Sequence, residues 1–209
     1  MQGDGLMIGV DPANGVERWQ LELPAGAMRY VTPLDAGYAT LSEDGETLIV
    51  AAGAELWQIN AYTGELLNRA SVPQGDTETV WGYVAQCGDS IYATRMKPTA
   101  PRTAQDTPTR YTFVNNDYNS ERPLVTARTV SKLDGSGALL WSYSGQGTIA
   151  HGSIAVDDEQ QRMIFVEGRS AACIEHTTDQ IPLATIMQEA RLVCLDTETG
   201  AIAWEQSLA

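Results

Sequence analysis

Residues 191–208 read RLVCLDTETGAIAWEQSL: an apolar strand, an aspartate, a polar turn closing on glycine, and a second strand carrying a tryptophan. Three other stretches read alike, GLMIGVDPANGVERWQLEL at 5–23, ELWQINAYTGELLNRASV at 55–72 and TVSKLDGSGALLWSYSG at 129–145. Their turn glycines are Gly15, Gly64, Gly137 and Gly200, spaced by 49, 73 and 63 residues. A tryptophan follows four residues after the glycine in three of them (Trp19, Trp141, Trp204), and Asn68 stands there in the second. Asp or Asn at the start of such a turn caps exposed backbone N–H groups, and Gly supplies the positive φ that closes the hairpin. The tryptophan presents a large apolar face that can cover the adjoining repeat. The unit is a hairpin that cannot bury both faces alone.

A second pair of strands lies between consecutive hairpins. AGYATLS and ETLIVAAG precede the second hairpin, VWGYVAQ and SIYATRM the third, HGSIAVD and RMIFVEG the fourth. All are rich in Val, Ile, Tyr and Ala, and acidic or glycine turns separate them, which is strand chemistry. Gly37, Gly82 and Gly152 fall at the same place in each first strand. The full unit is therefore four strands, here lettered A to D, and four-stranded units at this spacing predict propeller blades. The expected fold is all-β: a β-propeller of four-stranded antiparallel blades, about three and a half of them. The half blade covers 5–23 and whole blades cover 36–72, 80–145 and 148–208, with inserts at 97–127 and 169–189.

The pattern strand–Leu/Val-Asp-x-x-x-Gly-x-x-x-Trp resembles the pyrroloquinoline-quinone (PQQ) repeat family of β-propellers. VCLDTETGAIAW and IGVDPANGVERW are close to that signature, SKLDGSGALLW is one residue short in its turn, and INAYTGELLN keeps only the glycine. The family includes quinoprotein alcohol dehydrogenase-like propellers, which hold PQQ with Ca²⁺, and cofactor-free propellers such as the outer-membrane assembly lipoprotein. The resemblance therefore makes PQQ and Ca²⁺ possible without requiring them, and implies a periplasmic or other extracytoplasmic parent. In the dehydrogenases a vicinal disulfide stacks on the quinone, whereas Cys87, Cys173 and Cys194 are nowhere adjacent. Their Ca²⁺-ligating Glu, Asn and Asp motifs have no match either. The nearest candidate, Asn115-Asn116-Asp117, lies in an insert, where turn chemistry accounts for it equally well.

Composition narrows the partners. Of 209 residues, 43% are hydrophobic and 19% charged, and no run approaches the length of a membrane-spanning helix. Thirteen Lys and Arg against 27 Asp and Glu leave a net charge of −14, which argues against nucleic acid or an anionic membrane as partner. Two histidines, His151 and His176, are too few for a histidine-rich metal site. The opening MQGDGLMIGV shows no basic segment followed by an apolar one, so no signal peptide is visible. Three and a half blades leave open edges, which reads as a fragment of a longer propeller or a chain that must associate. Either the parent's remaining blades or self-association would cover those edges.

Both inserts fall between strands B and C, hence on one face of a propeller, opposite the tight acidic turns. The first is rich in Pro and Thr, and the second carries IPLATIMQEA, which predicts a short helix opening at Pro182. Function tends to reside in long loops on a rigid scaffold. Strand A starts at that face with Ala36, Trp81 and His151, and strand B ends there with Arg95, Glu167 and Arg169. Trp81, Arg95, His151, Glu167 and Arg169 together suit a small polar or anionic ligand. Each also has a plainer reading: Trp81 as channel packing, His151 as a turn residue, Glu167 and Arg169 as a rim ion pair. Asp44-Gly45-Glu46 and Asp157-Asp158-Glu159 read as soluble hairpin turns rather than cation ligands. No nucleophile elbow, phosphate loop, dinucleotide fingerprint or zinc-protease motif is present. These features point to a non-catalytic scaffold that binds a protein or small polar molecule through the insert-decorated face. The alternative is a fragment of a PQQ- and Ca²⁺-dependent dehydrogenase oxidising an alcohol or sugar.

Overall fold

The computed structural model describes residues 2–3, 6–24, 37–73, 80–96, 123–175 and 180–208. The first hairpin is β2 (Leu6–Val10) and β3 (Glu17–Glu22), with β1 (Gln2–Gly3) paired outside β2. An antiparallel four-stranded sheet follows in the order β4 (Ala39–Leu41), β5 (Thr47–Ala52), β6 (Glu55–Asn60) and β7 (Leu66–Ser71). The third unit is β8 (Val80–Cys87), β9 (Ser90–Met96), β10 (Pro123–Leu133) and β11 (Leu139–Ala150). The last begins with β12 (Ala155–Asp157) and β13 (Arg162–Gly168). It then passes through α1 (Ala171–Glu175), β14 (Gln180–Pro182) and α2 (Leu183–Met187), and ends with β15 (Ala190–Asp196) and β16 (Ile202–Ser207). This is the all-β, partial-propeller architecture that the repeats predict. Among the described residues no helix is long and apolar enough to cross a membrane.

Turn chemistry builds each C–D hairpin. Asp11, Asp134 and Asp196 each accept backbone N–H groups two to four residues ahead, and Asn60 does the same for Tyr62 and Thr63. The glycines that close them sit at φ from +72° to +86°, where a side chain would be strained. The tryptophans then join one unit to the next. The Trp19 ring covers Gly64, and its indole N–H donates to the Ala61 carbonyl at 3.0 Å. Trp141 repeats this on Gly200 and the Thr197 carbonyl, also at 3.0 Å. Where Asn68 replaces tryptophan, its amide donates to the Ser136 carbonyl at 2.7 Å and Ala70 packs on Gly137.

Between units the sheets bury apolar side chains on both faces. Ile49, Ala51 and Leu56 pack on Trp81, Val84, Ile91 and Leu133 at one junction. Tyr92 and Val130 pack on Met163, Phe165, Val193 and Leu195 at the next. At about 25 cal/mol per Å² of apolar surface removed from water, these interfaces dominate the stability of the stack.

One strand differs from expectation. HGSIAVD was expected to form strand A of the last unit, but His151–Ser153 is a 3₁₀ turn, leaving only Ala155–Asp157 as β12. β11 runs on instead, and its Thr148 and Ile149 pair with Gly168 and Glu167 of β13, joining the last two units in one sheet. The Ser153 hydroxyl explains the break: it accepts the Val166 N–H at 2.9 Å and donates to the Ala150 carbonyl at 2.7 Å. It thereby replaces a ladder bond with a side-chain bridge.

Candidate functional site

The described part of the second insert returns to the root of the first. β14 pairs with the start of β10, matching Pro123 with Pro182, Leu124 with Ile181 and Val125 with Gln180. Most of the first insert, including Asn115-Asn116-Asp117, and also Ala36 and His176 lie outside the described residues. The helix expected at Pro182 begins one residue later, with Pro182 as its cap. Cys173 and Ile186 anchor the two helices in a cluster with Ala150 and Ile181. Thr148 and Arg128 donate to the Cys173 carbonyl, and Arg128 also to that of Ile174, so acceptors at the end of α1 are satisfied. On the outside of these helices Ile174, Leu183 and Met187 are 40–46% exposed.

Just before α1 in the chain lies a buried ion pair. Glu167 is fully buried at the end of β13. Its Oε1 accepts the Gly147 N–H at 2.7 Å, and its Oε2 accepts Arg169 Nη2 at 2.7 Å and Nε at 3.0 Å. Arg169 also reaches Glu205 at 2.9 Å, which pairs in turn with Arg191 at 2.9 Å. Burial alone would lower the Arg169 pKa, but its hydrogen bonds to Glu167 and Glu205 outweigh that and hold it above its ordinary value. The Tyr143 hydroxyl lies 3.5 Å from Glu167, and burial, reinforced by that carboxylate, pushes its pKa up to about 12. A polar cavity of about 280 Å³ adjoins this chain of charges, lined by Gln146, Arg169, Glu189, Ala190, Arg191 and Ser207.

Gly145 and Gly147 make the cradle possible. A Cβ on Gly145 would stand 2.6 Å from Glu167 Oε1, and one on Gly147 would run into the Gly168 carbonyl. Tyr143, Gly147, Arg191 and Glu205 were not among the expected site residues. The Gly-x-Gly inside a strand was the available signal, because glycine there marks a bulge or a close backbone approach.

The remaining expected residues sit around β8 and β9. Trp81 is fully buried, with its indole N–H donating to the Ala70 carbonyl at 3.2 Å, and Arg95 is its cross-strand neighbour, 6% exposed. His151 is 1% exposed, with Nε2 3.0 Å from Thr94 Oγ1 and its ring beside Tyr83. Burial drives its pKa down to about 3, so the imidazole is neutral at physiological pH. The structure thus brings Trp81 beside Arg95 and Glu167 against Arg169. It places Trp81, His151 and Glu167 inside the packing rather than at an open rim.

The described residues do not fit a quinone–calcium centre. The three cysteines are free, and no group of three or more His, Cys, Asp or Glu among the described residues could hold a metal ion.

No curated protein matches the chain by sequence. The family model described as outer membrane protein assembly factor BamB matches residues 3–168. Among solved structures the chain is similar to a quinohemoprotein alcohol dehydrogenase from Comamonas testosteroni, at 14% identity and TM-score 0.52, over 97% of this chain and 33% of that one. It is similar to a europium-containing methanol dehydrogenase at 13% identity and TM-score 0.53, over 99% of this chain and 39% of that one. It is also similar to the dihydro-heme d1 dehydrogenase NirN in complex with DHE, at 9% identity and TM-score 0.51, over 98% and 33%. The chain thus spans 33–39% of the length of these structures, and at such identities the likeness shows the fold alone.

Proposed function

This chain belongs to the outer membrane protein assembly factor BamB family of PQQ-like repeat propellers, and on that premise we propose that it is a non-catalytic scaffold. It binds a protein partner through the insert-decorated face, in a periplasmic or other extracytoplasmic compartment. One observation carries this reading: α1 and α2 are locked to the sheets from below while Ile174, Leu183 and Met187 stand exposed above. Exposed apolar side chains on a rigid base are what a protein interface uses at its centre. The buried ions serve that base. Glu167 and Arg169 tie the insert's first residues to the cradle of β11, so the platform keeps one geometry whether or not a partner is present. A net charge of −14 disfavours nucleic acid as the partner.

The test is affinity capture of extracytoplasmic proteins by the wild type and by the triple variant Ile174→Ser, Leu183→Ser, Met187→Ser. Loss of a specific captured protein, with an unchanged melting temperature, supports the reading. Capture equal to wild type refutes it.

A further inference from the structure

We propose that the cleft between β11 and the facing ends of β15 and β16 binds a small amphoteric molecule, an amino acid or short peptide. Arg191 holds its carboxylate and Glu189 its ammonium group. The cavity there measures about 280 Å³ and is bounded by Gln146, Arg169, Glu189, Ala190, Arg191 and Ser207. At roughly 30 Å³ per water it has room for about nine waters, which suits a molecule of amino-acid size. Of the residues expected from the sequence to bind a ligand, only Arg169 lines it.

The charged groups around the cavity are unequally spent. Glu167, Arg169, Glu205 and Arg191 form a line of alternating charge, each in contact with the next. Arg169 and Glu205 meet an opposite charge on both sides, whereas Arg191 stands at the end of the line. Its Nη1 donates to Glu205 at 2.9 Å, and its side chain is 40% exposed. A guanidinium carries its donors in a planar fork, and a carboxylate is the group that fork fits best. Glu189 is exposed and forms no ion pair among the described residues. Its backbone carbonyl accepts the Arg169 N–H at 3.0 Å, which fixes it at the edge of the cavity. A bare anion would meet Glu189 as well as Arg191, while a molecule carrying both charges pairs each of them. At a net charge of −14 the chain repels an anion, and a molecule of no net charge escapes that repulsion.

The cavity belongs to the joint between the third and fourth units. Val193 packs with Tyr92 and Val130 of the third unit, and Arg191, two residues away on the same strand, faces the same side. Ser207 and Glu205 lie opposite Arg191 and Val193 and share that face, whereas Trp204 and Gln206 point the other way. The site therefore owes nothing to what packs on the other face of β16. Ile174, Leu183 and Met187 do not line it, so it can fail separately from the protein binding proposed above.

Titration calorimetry of the full-length protein tests it, with L-glutamine as the amino acid and glycylglycine as the short peptide. At least one of them should bind with Kd below about 1 mM. The N-acetyl form of that probe lacks the ammonium and its carboxamide form lacks the carboxylate, and each should bind about tenfold or more weakly. Arg191→Gln should weaken the intact probe about tenfold and leave the carboxamide form unchanged. Glu189→Gln should weaken it likewise and leave the N-acetyl form unchanged. Binding of neither probe overturns the proposal, as does binding indifferent to the two charges or an affinity that either variant leaves intact. Glu189→Gln, at an exposed position, decides alone if Arg191→Gln folds poorly.

Discussion

Arg169→Met exposes the energetic logic of the buried charge chain. Glu167 is fully buried, and Arg169 supplies both of its charged hydrogen bonds, at 2.7 and 3.0 Å. Methionine fills similar volume without charge, leaving the carboxylate only the Gly147 amide and a Tyr143 hydroxyl 3.5 Å away. Removing one partner of a buried pair and stranding the other costs about 3–5 kcal/mol. Neutralising the stranded partner should recover much of it, so Glu167→Gln in the Arg169→Met background is expected to be more stable than Arg169→Met alone by about 1–3 kcal/mol. Arg169 also holds Glu205, but that residue is exposed and keeps Arg191, so its share is small. The assay is urea unfolding at pH 7 of wild type, both single variants and the double variant, followed by far-ultraviolet circular dichroism. A loss under about 1 kcal/mol for Arg169→Met, or a double variant no more stable than Arg169→Met, would refute the argument that the pair exists to neutralise a buried carboxylate.

Three further outcomes follow from the same structure. Trp141→Ala should cost about 2–3 kcal/mol, below the 3–5 of a fully buried aromatic because the ring is only partly buried, as read by thermal unfolding. His151 has a folded pKa of about 3 against an ordinary 6.5, so the native state binds fewer protons than the unfolded chain. The stability it contributes is complete above pH 6.5 and is lost as pH falls toward 3. That loss is at most about 4–5 kcal/mol, and a His151→Gln variant should flatten the acid limb of a stability–pH curve. Ser153→Ala strips the Val166 N–H of its acceptor and should cost about 1–2 kcal/mol, with faster amide exchange at Val166 measured by hydrogen exchange.

The hairpins were legible because their chemistry is local. An Asp or Asn that caps the turn and a Gly that needs positive φ lie within five residues of each other, and a tryptophan four residues on announces the joint. The break at His151–Ser153 was not legible, because its cause is a serine hydroxyl bridging Ala150 and Val166, and nothing in HGSIAVD distinguishes that serine from a strand residue. The site was half legible. Glu167 and Arg169 lie two residues apart at one strand end, and the ion pair that this spacing suggests is present. Depth was not, since Trp81 and His151 look the same in sequence whether they line a mouth or pack beneath it. Glu205 was missed because its contact with Arg169 spans 36 positions and follows from the register of β13, β15 and β16.

That division between local and long-range causes also explains where function can be carried. On one side of the stack, turn caps, left-handed glycines and the tryptophan joints leave little freedom: Gly64 and Gly200 have no room for a side chain, and the joints that cover them set the spacing of the sheets. Insertion there would break a joint. The B–C connections carry no such joint, and in the second unit a two-residue turn, Gly53-Ala54, suffices. Chain length can therefore be added at that side at little cost in stability, provided the added segment satisfies its own backbone and its buried charges. The second insert does both. Arg128 and Thr148 satisfy carbonyls at the end of α1, β14 takes the free edge of β10, and Arg169 neutralises Glu167. Among the described residues the apolar side chains of Ile174, Leu183 and Met187 are left exposed on that ordered element, and the proposed binding of a protein partner rests on that exposure.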